Sequence, residues 1–448
     1  MKLNLRIWFA FNWKNKMKPQ KTIKAQPEPG DYVEVHFGKI VYEGTFLATP
    51  EDEKGIILLK LDSGYNIGLN KKEVLEIKVL EKAENKTEKI EIKKDSKKPN
   101  IAMIITGGTI ANRYDPKTGA VAPLSSPEEL FKFYPEIFDV ANVVKLEMPF
   151  MKASEDMDYK DWQKIAKTLE PFLNDSNIKG VVITHGTDTL HYTSAALSFF
   201  IKNLNKPVVL TYSQRSSDRA SSDAALNLKC AALAAVSDVA EVMIVGHAST
   251  NDDFCYAMPG TKVRKLHSTR RDTFKVVNSK PIAKISSDVL EILSPYNIAG
   301  KEKVKVDVKF EGKIALLKLY PGQDPEILDY YAKQGYKGLI IEATGLGHVP
   351  ALTSKNSWIP TLKRIIAKGI FVGITTQCIY GRVDPYVYSN LRALNDTGAV
   401  FLEDILSETA FVKLGWILGH EDWAKDKEVV RKKMLENISH EFNNRLEE

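Results

Sequence analysis

The chain has 448 residues, 44% of them hydrophobic and 27% charged, with a net charge of +6. This is ordinary globular composition, and the length predicts two or three domains. Three scattered cysteines (Cys230, Cys255, Cys378) exclude a disulfide framework and a C-x-x-C zinc site and fit a reducing cytoplasm, and no apolar run approaches the roughly 20 residues needed to span a bilayer.

Residues 1–28 form a basic tail, because positions 1–24 hold seven Lys/Arg and no acid. Its first eleven residues look like a secretory leader, but Arg6 breaks the apolar run and no small-x-small cleavage site follows, so a non-secretory start is expected. Met17 stands just ahead of the first foldable segment, which also fits an over-extended start. Such a tail is either plainly solvated or adds non-specific attraction to nucleic acid.

Residues 29–80 read as a small all-β domain. Val33, Val35 and Phe37 alternate with Tyr32, Glu34 and His36, further short apolar runs follow at 40–48, 56–61, 65–69 and 74–80, and Asp62-Ser63-Gly64 supplies a turn. Strands this closely spaced predict a small barrel, a docking module or a passive appendage. Residues 81–98 carry too many charges to bury a face and read as a tether or an exposed helix.

From 99 to about 300 the texture is α/β, with apolar strands predicted at 101–105, 180–183, 207–210 and 242–245 between helical stretches. A break near 295–310 starts a second α/β unit, 301–448, with strands at 313–319, 338–342 and 370–375 and an exposed, charged C-terminal helix over 422–448.

Two strand ends carry the chemistry. Ile104-Ile105-Thr106-Gly107-Gly108-Thr109 runs from a strand into a glycine pair and a hydroxyl, and Ile183-Thr184-His185-Gly186-Thr187-Asp188-Thr189 ends a second strand in hydroxyls and a carboxylate. Ligands of parallel sheets gather outside such strand ends, and backbone N–H groups at glycines can hold an oxyanion. A threonine nucleophile needs a positioned base and an orienting charge. Each segment alone also reads as a turn or a helix cap.

Together the segments resemble the two signature threonine motifs of the bacterial-type L-asparaginase family, TGGTIA at 106–111 and HGTDT at 185–189, over roughly residues 100–420. The resemblance implies two asparaginase-like parallel-sheet α/β domains preceded by the small barrel. It makes Thr109 the nucleophile, Thr187 the second threonine and Asp188 the acid paired with a lysine. That lysine is expected in the loop 260–269 at Lys265, with Lys262 and Arg264 as rivals and a solvated or RNA-binding basic loop as the plain alternative. Ser154 and Glu155 would hold the α-carboxylate and α-amino groups of the substrate, beside the backbones of Gly108 and Gly186. His185 and His191 match no metal-ligand spacing, so no metal is expected. The family's lid tyrosine is missing around Gly119-Ala120-Val121-Ala122, with Tyr114 the nearest candidate, and Gly345-Leu346-Gly347-His348 is a loop that could reach a neighbouring subunit's site.

The roughly 100 residues ahead of the first threonine motif resemble the asparaginase-like subunits of archaeal tRNA-dependent amidotransferases. That branch implies a cytoplasmic glutaminase with no bound cofactor, passing ammonia to an ATP- and Mg-using partner subunit of the E type that converts Glu-tRNA(Gln). It also implies a homodimer within a heterotetramer and no membrane. A free-standing cytoplasmic asparaginase or glutaminase, and a non-catalytic tRNA- or protein-docking module, are the alternatives.

Overall fold

The computed structural model describes residues 26–49, 55–63, 65–83, 95–114, 121–123, 130–216, 219, 221–286 and 288–446. The basic tail to residue 25 and most of the tether, 84–94, lie outside these. The chain divides into two compact units, a small N-terminal one and a large one holding both α/β sheets.

The small unit is a five-stranded antiparallel sheet of β1 (Tyr32–Phe37), β2 (Ile40–Leu47), β3 (Ile56–Lys60), β4 (Asn66–Asn70) and β5 (Val74–Glu81), ordered β4-β3-β2-β1-β5. Val33 and Val35 are fully buried, as their alternation with polar neighbours requires. Among the described residues no ladder joins β4 to β5, so the sheet is seen without barrel closure.

The large unit opens with β6 (Asn100–Ile105), β7 (Asn142–Glu147), helix α1 (Tyr159–Leu173), β8 (Val181–Thr184), α2 (Leu190–Phe200), β9 (Val208–Thr211), α3 (Ala224–Ala235) and β10 (Val242–His247). These five strands pair in parallel, in the order β10-β9-β8-β6-β7. β8 is buried at every residue, with Val181 and Ile183 in one core and Val182 in the other, because helices cover both faces. Beyond β10 the sheet turns antiparallel through β11 (Cys255–Pro259), then β14 (Ala283–Ser286) and β15 (Val289–Ile292), with the short ribbon β12 (Val263–Lys265) and β13 (Phe274–Val276) between them in sequence. The expected parallel sheet is thus present in these five strands and carries an antiparallel edge. Residues 248–254 are too few for the crossover that a parallel return needs, so a hairpin forms instead.

The second sheet is parallel, β16 (Ile314–Lys318), β17 (Gly338–Ala343), β18 (Phe371–Thr376) and β19 (Val400–Phe401), with α4 (Glu326–Lys333), α5 (Ile359–Ala367) and α6 (Ser389–Asn395) in its connections. Helix α7 (Ser407–Leu418) packs on this sheet and on α2, and its Leu414 and Ile417 share one core with Ile183 and Ile340. The two α/β parts thus bury a common face.

The expected exposed C-terminal helix is corrected. Two short helices, α8 (Glu421–Ala424) and α9 (Lys427–Leu435), give way at Glu436 to a non-helical strap over 436–446. Val430 and Met434, one turn apart, are buried, and Glu441 is fully buried against Lys413 at 2.6 Å. Pairing with Lys413 leaves no uncompensated charge when Glu441 is buried, so the strap can pack inward despite its polar composition. Among the described residues no helix is long and apolar enough to cross a membrane.

Candidate active site

The strands β6 and β8 are neighbours, with Ile105 opposite Thr184, so both threonine motifs leave the sheet at the same edge. Thr106 fixes them together by donating its backbone N–H and its hydroxyl to the Thr184 carbonyl, at 3.2 and 2.8 Å. Gly108 follows at φ 82°, and a Cβ there would stand 2.4 Å from the Gly186 nitrogen. No side chain fits, so the two motifs run backbone against backbone. Thr109 comes next, half-buried, as the first residue of a 3₁₀ turn over Thr109–Ala111.

On the second motif, His185 is fully buried, with Nδ1 2.7 Å from the Gly186 carbonyl and Nε2 2.9 Å from the Thr193 hydroxyl. A carbonyl can only accept, so Nδ1 carries the proton. Burial drives this imidazole's pKa down to about 4, and that of His191 to about 3 with Arg264 and Lys265 adding to the effect. Both rings are neutral structural groups of the fold.

Thr189 is the N-cap residue of α2, yet its side chain makes no cap bond and donates to the Ser154 carbonyl at 2.6 Å. Ser154 is buried in a 3₁₀ turn over Ser154–Asp156, and its hydroxyl accepts the Asp188 N–H at 3.1 Å. A Cβ on Gly186 would come within 2.7 Å of that hydroxyl, so the glycine lets the serine approach. Glu155 is exposed beside it.

The three rival cations of the 260–269 loop take three different partners. Lys262 is buried and pairs with Asp404 at 2.6 Å; Arg264 reaches Glu408 at 2.9 Å and Glu342 at 3.6 Å; only Lys265 turns to the threonine edge, donating to Thr187 Oγ1 at 2.9 Å and Asp188 Oδ1 at 2.8 Å. Burial pushes the Glu408 carboxyl upward, and the Arg264 guanidinium opposes this. Arg270 and Lys275 pair with Asp272 at 2.7 Å each, and Arg271 with Asp252 at 2.5 Å. The loop is a set of matched ion pairs.

The structure therefore gathers Gly108, Ser154, Gly186, Thr187, Asp188 and Lys265 through direct contacts, with Thr109 at the turn that adjoins them. The Gly345–His348 loop closes on itself through Thr344 and sets the His348 ring against Tyr388, and among the described residues it makes no hydrogen bond to 109, 187, 188 or 265. The lid stretch 115–120 and the Tyr114 side chain lie outside the described residues. Sequence reasoning missed Thr193 and Ser194, whose hydroxyls brace His185 and the Gly260 carbonyl, and the acids Glu342, Asp404 and Glu408. Two hydroxyls inside the almost wholly buried helix α2 were the available signal.

The family model described as "Asparaginase, N-terminal" matches residues 100–296, "Glutaminase/Asparaginase C-terminal domain" matches 313–434, and "GatD N-terminal domain" matches 27–80. The chain is 49% identical to the D-type subunit of the glutamyl-tRNA(Gln) amidotransferase from Pyrococcus furiosus, across 93% of this chain and 95% of that one. It is 40% identical to the protein of the same name from Methanococcus maripaludis, across 92% and 99%. Among solved structures, the thermostable L-asparaginase from Thermococcus kodakarensis superposes with a TM-score of 0.69 at 30% identity, over 77% of this chain and all of that one.

Proposed function

The chain belongs to the asparaginase family, in its branch of D-type subunits of glutamyl-tRNA(Gln) amidotransferase, and is an amidohydrolase of that complex; from this premise we propose that it hydrolyses glutamine by a threonine nucleophile and releases ammonia. Thr109 attacks the side-chain amide carbon. Thr187 relays the departing hydroxyl proton to the Lys265–Asp188 pair, which holds it until the leaving nitrogen takes it up. The backbone N–H groups near Gly108 and Gly186 face the oxyanion. Collapse of the tetrahedral centre breaks the C–N bond, the proton returns to the leaving nitrogen, and ammonia departs. Water then hydrolyses the Thr109 ester to glutamate and regenerates the hydroxyl.

Ser154 and Glu155 are proposed to hold the α-carboxylate and α-amino groups, with Asp188 also facing the ammonium. The Ser154 hydroxyl, which accepts the Asp188 N–H, still has its own proton to give to a carboxylate. The observation that carries the reading is the single lysine shared by Thr187 and Asp188 beside the Thr109 turn. This reading calls for no cofactor on this chain. ATP and magnesium belong, in this reading, to an E-type partner subunit that receives the ammonia and amidates Glu-tRNA(Gln) in the cytoplasm, within a heterotetramer built on a homodimer of this chain.

The test is glutamine hydrolysis by the chain alone, with partner, and with partner plus charged tRNA. Stimulation by both additions is expected. Robust asparagine turnover by the isolated chain, unchanged by either addition, would favour the free-standing asparaginase instead. Thr109→Ala should abolish hydrolysis while the complex still assembles and still uses added ammonium, and retained turnover would reject the nucleophile.

A further inference from the structure

Lys265 and its two partners arrive on different supports. Thr187 and Asp188 lead directly into α2, whereas Lys265 ends β12, one strand of a three-residue ribbon that joins neither main sheet. No sheet ladder therefore sets the distance between the lysine and the threonine motif. A backbone bond from the Gly260 N–H to the Val242 carbonyl at 2.9 Å ties the root of the ribbon to β10, and side-chain clamps hold it further.

Three of these clamps converge on Gly260 and Thr261. Ser194, on α2, donates its hydroxyl to the Gly260 carbonyl at 2.8 Å. Thr409, on α7, donates to the Thr261 carbonyl at 2.9 Å. The Thr261 hydroxyl in turn donates to the Ser439 carbonyl at 2.8 Å, and the Ser439 hydroxyl donates to the Ser198 carbonyl on α2 at 2.8 Å. The C-terminal strap thus bridges the helix that follows Thr187 and Asp188 to the segment that precedes Lys265.

The strap is itself held in one conformation. Glu441 accepts the backbone N–H groups of Ile438 and Ser439 at 3.1 and 2.6 Å while paired with Lys413. Asn443 donates its backbone N–H and its side-chain amide to Asp404 at 3.0 and 2.8 Å, the acid that also holds Lys262. His440 occupies the left-handed region at φ 60°, a conformation that persists where its surroundings impose it.

We propose that Thr261 and Ser439 are positioning residues for hydrolysis, through which the C-terminal strap sets the spacing of Lys265 from Thr187 and Asp188. The inference rests on the glutaminase reading given above. Proton transfer across contacts of 2.8–2.9 Å tolerates little displacement, and a misplacement of about 1 Å can cost about a hundredfold in rate.

The test uses the full chain in its complex, with glutamine hydrolysis as the assay and Thr109→Ala as the control. Thr261→Val keeps the shape and removes the hydroxyl, Thr261→Ser keeps the hydroxyl, and Ser439→Ala removes the bond to Ser198. For Thr261→Val and Ser439→Ala, kcat should fall about tenfold with KM within about twofold of the parent. Thr261→Ser should restore kcat. If the Val and Ala variants keep parental kcat while Thr109→Ala is inactive, the positioning role is wrong and the glutaminase reading stands. A fall in kcat that Thr261→Ser does not restore, or that tracks a loss of thermal stability across the variants, also overturns it. Turnover by Thr109→Ala would instead remove the reading beneath.

Discussion

Lys265 and Asp188, 77 residues apart in sequence, meet as an ion pair of 2.8 Å whose lysine end is mostly buried and whose acid end is open. The Asp188 side chain keeps 60% of its exposure, so solvent screens its contribution to folding while leaving it accessible to a substrate ammonium. Replacing Asp188 with Asn preserves the shape and deletes the charge. We expect kcat for glutamine to fall by about 10²–10⁴, the usual loss when a general acid–base relay is broken, with KM rising as well. The thermal midpoint should barely move. Steady-state hydrolysis beside a melting curve checks both, and activity within about threefold of the parent would remove Asp188 from the relay.

Gly108 gives a prediction with a built-in control. Its φ is 82° and an added Cβ would meet the Gly186 nitrogen at 2.4 Å, backbone against backbone, so neither side can yield cheaply. Gly322 has nearly the same φ, 81°, with nothing within 4 Å. Alanine at either position incurs the left-handed strain of about 1 kcal/mol. Only Gly108→Ala also drives the Thr109 turn away from the second motif. Hydrolysis should drop by more than about tenfold in Gly108→Ala and stay unchanged in Gly322→Ala. Equal activities in the two variants would contradict the close approach of the motifs.

The buried pair Lys262 with Asp404 is structural, and its loss should be seen in stability. Its side chains are 1% and 0% exposed. Asp404→Asn leaves an uncompensated ammonium in the interior, which costs about 3–5 kcal/mol. The half-exposed pair of Arg364 with Asp329 is a useful contrast, for which Arg364→Ala should cost about 1 kcal/mol or less. Thermal unfolding of the two variants orders them, and a larger loss in Arg364→Ala would refute the assignment.

Much of this was legible in the residues because the informative signals were local. An apolar run ending in Gly107-Gly108-Thr109 or Gly186-Thr187-Asp188 fixes both a strand and what stands at its end, so the threonine edge could be read directly. The choice of Lys265 over Lys262 and Arg264 rested on resemblance, since three cations within four positions carry the same local signal. What separates them is the placement of Asp404, Glu342 and Glu408, acids far downstream in the sequence that only the folded chain brings near. The strap was misread for the same reason. Glu441 looks like a solvent residue until Lys413 is seen to neutralise it at zero exposure. The antiparallel edge β11-β14-β15 was missed because its strands are short, and β15 is largely exposed and shows no clean alternation.

His185 makes stability depend on pH in a direction that follows from its burial. The imidazole has an ordinary pKa near 6.5 and is held down to about 4 in the fold, so at pH 7 it is largely neutral in both the folded and unfolded states and contributes little pH dependence. Below about 6.5 the unfolded chain takes up a proton that the folded chain refuses, and stability falls until pH reaches the folded value. The loss across this window is about 3 kcal/mol at roughly 1.36 kcal/mol per pH unit. His191, held at about 3, extends the decline to lower pH. His185→Gln keeps a donor and an acceptor and cannot titrate. The variant will be less stable at pH 7, because the Gly186 and Thr193 contacts are fitted to a ring, yet its stability should fall less steeply between about pH 6.5 and 4. Denaturation series on parent and variant across that window decide the matter, and parallel slopes would mean that His185 is not the group refusing the proton.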